Sequence, residues 1–424
     1  FTILSYYCVV AGWTLGYVGK TVTNTFTPQA DPGGIFGAFA SSGVQQIAYH
    51  AAFMILCVLV VIGGVRSGIE RWSKILIPAL LIMLGLLVLR SVTLPGAGKG
   101  LSFYLEPDFS KLNFKVLVAG LGQAFFSMSL GMGAMLTYGS YMGRDISIPR
   151  AALQISFLDT LIALMACVIM FSIINSSGIE VSKSSTILFT TIPTVLVKLP
   201  GAGLLNAMFY LLIGFAALTS TISLLEVVSS FAIDELKWSR RRAVLTMGTI
   251  ITVFGVLNAL SLGASQRLSG INLIGRESTG GVFGTMDYLA SNWFLPVGGF
   301  LIALFVGWAL GIRTTREELE AGHGELPWYT VWRFLIRFVA PLAVGAIIVS
   351  VRRRCAHPPR KGRQLRNAHG GGDATQCSRT PSQEQGAAAE RAIVQCASPS
   401  SSLNTCAVKT SKRAPERHAS ADSP

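Results

Sequence analysis

The sequence predicts an all-α polytopic membrane protein, and three observations carry that expectation. Hydrophobic residues make up 51% of the chain and charged residues only 13%, about half the charged share of a soluble domain. Mean hydropathy is +0.54. Several apolar runs approach the ~20 residues that cross a bilayer as a helix. They are continuous rather than alternating, which disfavours a membrane β-barrel.

About nine spanning segments follow, at roughly 1–19, 46–65, 75–95, 117–142, 153–175, 204–234, 243–262, 284–310 and 329–350. The first, FTILSYYCVVAGWTLGY, begins as the interior of a helix, without initiator Met or signal peptide, so the natural N-terminus is expected to be missing. The second and third are joined by a short loop with Arg66, Arg71 and Lys74. Arg144 and Arg150 lie between the fourth and fifth, Lys237 and Arg240 to Arg242 between the sixth and seventh, Arg313 and Arg316 between the eighth and ninth. These alternate loops are expected to face the cytoplasm by the positive-inside rule. The intervening loops, such as 22–45 and 176–203, are longer and poorer in Lys and Arg for their length. TTIPTVLVKLPGAG, residues 190–203, has proline at both ends and suits a short extracellular helix or a re-entrant loop better than a crossing.

The net charge of +14 is divided unevenly. Residues 352–424 hold 13 Lys and Arg against 5 Asp and Glu, so +8 lies there and +6 in the preceding part. The basic balance is therefore mainly a tail property and does not point to nucleic acid. Residues 1–350 read as the transmembrane domain and 351–424 as a disordered basic tail. Nine crossings from an inside start would put VRRRCAHPPRKGRQLRN outside the cell, against the positive-inside rule. The tail is therefore expected not to be a native continuation, for example translation out of frame; a genuine secreted basic tail is the second reading. The expected partners are the lipid bilayer of the cell (inner) membrane and a small molecule.

Cys8, Cys57 and Cys167 lie in apolar segments, and Cys355, Cys377, Cys396 and Cys406 lie in the tail. None form a CxxC pair, so the first three read as small packing residues rather than a metal or redox motif.

Three places break the apolar pattern. GQAFFSMSLGMGAM, Gly122 to Met135, holds Ser127, Ser129, Gly131 and Gly133 inside the fourth segment. Such a stretch suits a helix unwound at membrane depth, tolerated where protein or water covers it, or close helix packing through small residues. FAALTSTISLLE sets Thr219, Ser220, Thr221 and Ser223 in mid-segment. The Thr219 and Ser220 hydroxyls and the Ala216 carbonyl are neutral hard oxygens suited to Na⁺. The competing reading has the hydroxyls bonding back to carbonyls of the preceding turn. Asp159, in ISFLDTLIALMA, is a carboxylate in an apolar run and reads as functional, or as a helix-entry residue at the interface. Glu226 lies nearer the cytoplasmic half, where a basic loop residue could pair with it. Three polar clusters on three segments favour a substrate and cation pathway. No Walker loop, HExxH or nucleophile triad is present, and three of five His lie in the tail; no enzyme is indicated.

YYCVVAGWTLGY, SGIERWSKILIPAL, LEPDFSKL, GQAFFSMSLGMGAMLTYGSY, FLDTLIALMA and FAALTSTISLLEVVSSFAIDELKWSRRRAV resemble bacterial members of the neurotransmitter:sodium symporter family, over about residues 1–350. The resemblance implies the leucine-transporter fold, two inverted five-helix repeats with discontinuous first and sixth helices. The first segment here resembles the family's third helix, so the nine segments would be helices three to eleven and the first two helices would be lacking. GQAFFSMSLGMGAM would then be the break in the sixth.

Residue roles follow from the same resemblance. Tyr7, six residues before Trp13, resembles the tyrosine that binds the substrate carboxylate. Ile3 and Val10 sit where the third helix lines the substrate pocket. Phe126 resembles the aromatic lid, and Asp287 the tenth-helix acid of the extracellular gate. Ser129, Leu130 and Gly131 match the unwound segment at the substrate, with Met132 and Leu224 as pocket walls. Ser127 and Asp159 match the first sodium site; Ala216, Thr219 and Ser220 match the second, which also borders the substrate. Gln123 matches a glutamine near the chloride position of animal relatives, and the fixed charge of Asp159 implies that no chloride is needed.

The implied activity is Na⁺-coupled symport of a small, apolar or aromatic amino acid by alternating access. The family's first helix supplies the other half of both sodium sites, so the chain as given is expected to be inactive by itself. Two further readings stay open: a proton-coupled transporter using Asp159 or Glu226, and a membrane structural or interaction protein whose small residues serve packing alone.

Overall fold

The computed structural model describes residues 1–26, 31–106, 109–176, 187–197, 201–271, 281–322 and 324–356. The chain is all-α. In order it forms α1 (Thr2–Val22), α2 (Pro32–Ser41), α3 (Gly43–Ile62), α4 (Arg71–Val92), α5 (Ala97–Leu105), α6 (Phe114–Ser127), α7 (Ala134–Ser140), α8 (Ile148–Ser176) and α9 (Ile187–Leu196). Next come α10 (Ala202–Asp234), α11 (Arg240–Ser261), α12 (Gln266–Gly270), α13 (Gly281–Leu289), α14 (Leu295–Leu304), α15 (Ile312–Glu320), α16 (Tyr329–Phe334) and α17 (Ala340–Ala356). π-Helical turns at Val65–Glu70, Ala290–Phe294, Phe305–Ala309 and Leu335–Val339 extend α4, α13, α14 and α16 without ending them.

Among the described residues seven helical stretches are long and apolar enough to cross a membrane, not nine. The fourth expected segment falls short because it is broken between α6 and α7. The first falls outside that set because α1 dilutes its aliphatic residues with Tyr6, Tyr7, Gly12, Trp13, Thr14 and Tyr17. Those residues suit a helix surrounded by protein rather than lipid. Leu4, Tyr6, Cys8, Val9, Trp13 and Tyr17 are all at 0–1% exposure. Around α1 pack α3, α10 and α11.

One end of this bundle is closed by α2 and α9, which contact each other. α2 starts where Pro32 follows Asp31, whose carboxylate accepts from Gly33 N at 3.0 Å, satisfying a free donor of the first turn. Trp13 Nε1 donates to Gln46 Oε1 at 2.5 Å, and Gln46 Nε2 donates to the Phe39 carbonyl at 2.9 Å. Tyr17 and Tyr210 hydroxyls donate to the carbonyls of Phe189 and Leu188, at 3.1 and 2.9 Å. The short helix expected within 190–203 is α9, displaced to Ile187–Leu196 and too short to cross, while 198–200 lie outside the described residues. The last helix runs past the expected domain edge at 350 to Ala356, and the rest of the basic tail lies outside the described residues. All three cysteines assigned to packing are buried, and none forms a disulfide among the described residues.

Candidate functional site

The fourth segment unwinds where glycine and serine cluster. α6 begins with Asn113, whose side chain accepts from Val116 N at 3.1 Å, and ends at Ser127. α7 resumes at Ala134. Between them Ser129, Gly131 and Gly133 take φ of +56°, +82° and +85°. A left-handed backbone favours glycine because a Cβ there crowds the carbonyl. Gly131 also has no room: a Cβ would meet the Leu295 carbonyl oxygen and come within 2.9 Å of Gly299 N. The break is therefore seated against the start of α14 through glycine on both sides, with Gly298 placed as closely against the Gly131 carbonyl.

The break opens onto a cavity of about 350 Å³, within the range of small-molecule pockets. Four elements supply its oxygen-bearing walls: α1, the α6 end and break, α8 and α10. Of the residues singled out from sequence, Ile3, Tyr7, Phe126, Ser127, Ser129, Met132, Asp159, Ala216, Thr219, Ser220 and Leu224 line it, as does Gln123. Val10, Leu130, Gly131 and Asp287 do not. Val10 is 1% exposed and turned into helix packing. Gly131 shapes the break from behind. Asp287, on α13, is buried and accepts from Ser291 Oγ at 3.2 Å.

Two groups of oxygens converge on this cavity. In the first, Ser127 Oγ donates to Asp159 Oδ2 at 2.9 Å, joining the end of α6 to α8. In the second, the Ala216 carbonyl accepts from Thr219 Oγ1 at 2.8 Å and from Ser220 Oγ at 3.2 Å. Both groups mix at most one carboxylate with neutral oxygens. No cluster of three His, Cys, Asp or Glu occurs among the described residues, so the oxygens do not suit a transition metal. Glu226 stands apart. It is 0% exposed and bound by Arg240 through both oxygens, at 2.6 and 3.1 Å, with the Tyr141 hydroxyl donating at 2.7 Å. A basic loop residue does pair with it.

Sequence reasoning missed Tyr138, on α7. Its hydroxyl donates at 2.7 Å to Ser223 Oγ, which donates to the Thr219 carbonyl at 3.1 Å. This ties α7, the second half of the broken helix, to α10. Leu80, Thr160 and Ala163 also reach the cavity unannounced, because which face of α4 and α8 turns inward is not written in their apolar pattern.

Residues 37–360 match the family model described as the sodium:neurotransmitter symporter family. The chain belongs to that family. It is 35% identical over 355 residues to an uncharacterized sodium-dependent transporter, YhdH, of Bacillus subtilis, covering 83% of this chain and 77% of the relative. It is 30% identical over 356 residues to an uncharacterized sodium-dependent transporter of Haemophilus influenzae, covering 82% and 76%. Among solved structures, MhsT in complex with L-phenylalanine matches with a TM-score of 0.74 and 37% identity, over 83% of this chain and 78% of that one. The chain is thus a sodium-coupled symporter of the leucine-transporter fold and not an enzyme. The multi-pass membrane placement expected from composition agrees with the family and with the seven apolar helices.

Proposed function

We propose that this symporter carries an apolar or aromatic amino acid, with two Na⁺ as co-substrates, across the cell (inner) membrane by alternating access. The observation that carries the reading is the gathering of Ser127, Asp159, Ala216, Thr219 and Ser220 on the wall of one cavity beside the unwound stretch. Ser127 and Asp159 hold the first Na⁺, with the Asp159 carboxylate neutralising it. Ala216, Thr219 and Ser220 hold the second through a carbonyl and two hydroxyls. The hydroxyl donors that now bond to the Ala216 carbonyl rotate to present lone pairs when the ion binds; hydroxyl rotors allow this without moving the helix.

The Ser129 and Leu130 amides bond back to the Phe126 and Phe125 carbonyls at 3.0 Å, so it is the carbonyls of the stretch from Ser129 through Leu130 to Gly131, turned out of the helix, that suit the charged amino end of an amino acid. Tyr7 hydrogen-bonds its carboxylate. Met132, Leu224, Ile3 and Phe126 enclose its side chain, with Phe126 as lid, and Val10 supports Tyr7 from the same helix. The L-phenylalanine bound to MhsT supports a substrate of this class. Asp287 acts as an outer gate residue rather than a ligand. Because ions and substrate carboxylate neutralise one another in a dry site, each strengthens the other's binding, and transport follows the Na⁺ gradient.

Glu226 is engaged by Arg240 and Tyr141, which removes it as a free proton carrier. The test is uptake of labelled L-phenylalanine and L-leucine into proteoliposomes with an inward Na⁺ gradient or none. Uptake driven by Na⁺ and lost in Asp159→Ala and Thr219→Ala supports the reading. Uptake that ignores Na⁺ but follows pH overturns it.

A further inference from the structure

The helical stretch Tyr329–Val349 carries two arginines, Arg333 and Arg337, one turn apart within a span otherwise apolar enough to cross the membrane. They are treated differently by the fold. Arg333 is fully employed: Nη1 donates to Thr315 Oγ1 at 2.9 Å, and Nη2 to the carbonyls of Leu310 and Gly307 at 3.1 and 3.3 Å. Its work is structural, closing the α14–α16 connection over the small core of Leu319, Leu326 and Tyr329.

Arg337 has no such partners. Its guanidinium lies 4.0 Å from the Trp308 ring centroid and 5.7 Å from that of Phe338. Trp308 Nε1 in turn donates to the Arg337 carbonyl at 3.2 Å, which fixes the ring under the charge. Yet Nε is buried without a hydrogen-bond acceptor, and no carboxylate pairs with this arginine among the described residues. Two aromatic faces hold the fork in place while its donors go unused.

The surroundings are apolar and exposed. Trp308, Phe305, Phe334, Phe338 and Leu335 are all exposed large hydrophobics. Arg337 stands eight residues from the start of α16, about 12 Å along the axis. A long helical side chain points back toward the helix N-terminus, here the end next to the Arg313 and Arg316 loop. In the orientation expected from the basic loops, the guanidinium reaches toward headgroup level on the cytoplasmic side, framed by the aromatic residues typical of that depth. A free guanidinium fork matches two oxygens of a phosphate.

We propose that Arg337, stacked on Trp308, forms a binding site for the phosphate of an anionic phospholipid at the cytoplasmic leaflet. The acyl chains lie along Phe305, Phe334 and Phe338, and the phosphate accepts from the guanidinium edge away from the ring. The site is separate from the cavity at the helix break and does not depend on the substrate assignment. It lies beyond the far end of α14, against whose start the break is seated.

The test uses the full chain in nanodiscs containing phosphatidylglycerol and phosphatidylcholine, followed by release and counting of retained lipids by native mass spectrometry. Phosphatidylglycerol is expected to be retained about fivefold above its bulk ratio, the effect of one basic contact. Arg337→Gln brings it back to the bulk ratio, whereas Arg313→Gln, on the exposed helix α15, leaves it unchanged. Millimolar inorganic phosphate is expected not to displace the lipid. Equal retention of both lipids, or undiminished preference in Arg337→Gln, overturns the site; displacement by inorganic phosphate overturns the lipid as its source. If Arg337→Gln loses its helical circular dichroism, Trp308→Leu decides instead, since it leaves the charge but removes the stack. Retained preference in that variant overturns the proposal.

Discussion

α10 and the α6–α7 region carry similar polar content at similar depth, yet only one of them breaks. α10 places Thr219, Ser220, Thr221 and Ser223 within five positions and stays helical for 33 residues. Each hydroxyl donates to a carbonyl three or four residues back, at 2.8, 3.2, 3.0 and 3.1 Å. The hydroxyls are absorbed by the helix and the backbone ladder survives. The α6–α7 stretch has only Ser127 and Ser129 but adds Gly131 and Gly133 in left-handed conformation. Hydroxyls at membrane depth are tolerated by a continuous helix; glycines that adopt positive φ and accept another helix at backbone distance unwind one. The cavity combines a continuous wall of hydroxyl oxygens with an opposite wall whose backbone leaves the helix.

The largest expected effect lies toward the C-terminal end of α10. Arg240→Ala leaves Glu226 charged and buried, which is expected to cost about 3–5 kcal/mol. Thermal unfolding in detergent measures it, and adding Glu226→Gln should recover most of the loss. Recovery would locate the defect in the unpaired charge and not in α10 packing.

Gly131→Ala comes next. It combines left-handed strain of about 1–2 kcal/mol with a clash against the Leu295 carbonyl. Gly133→Ala has the same sign of φ, but its nearest neighbour is the Val227 side chain at 3.2 Å, so only the strain remains. A melting shift for Gly131→Ala clearly larger than for Gly133→Ala supports seating of the break on α14. Equal shifts would leave positive φ as the whole cause.

Thr219→Val is a smaller perturbation. It removes one back-bonded hydroxyl from a helix that does not need it, so stability should move by about 1 kcal/mol or less and helicity should hold. Na⁺-dependent stabilisation should fall about tenfold in apparent affinity. A helix that melts while Na⁺ affinity is unchanged would reverse the roles assigned to the two walls. The smallest effect is the coupling between Tyr138→Phe and Ser223→Ala, about 0.5–1.5 kcal/mol. A double-mutant cycle on stability reads it, and a value indistinguishable from zero would detach α7 from α10.

Much of this was legible in the chain. The apolar runs gave the helices, with edges displaced by a few residues, because burial in lipid is written in composition. The pairing of Glu226 with a loop arginine followed from the cost of a buried charge. α1 was harder to judge: its tyrosines, tryptophan and glycines lower its hydropathy because protein surrounds it, so the most buried helix looks the least membranous. Val10 shared a helical face with Ile3 and Tyr7 but faces packing, since a small rotation of α1 decides which residue of that face meets the cavity.

By itself the sequence determined that this is a helical membrane protein, which segments are helical, and where glycine permits the chain to unwind. These are local properties, set by hydropathy, backbone freedom and the cost of unpaired polar groups. Tertiary structure alone decided that Ser127 meets Asp159 across 32 positions and that Tyr138 meets Ser223 across 85. It also decided that Gly131 lies against α14 rather than in lipid. Such meetings depend on the rotation and approach of whole helices, and those are settled by the packing of many side chains at once, which no single stretch encodes.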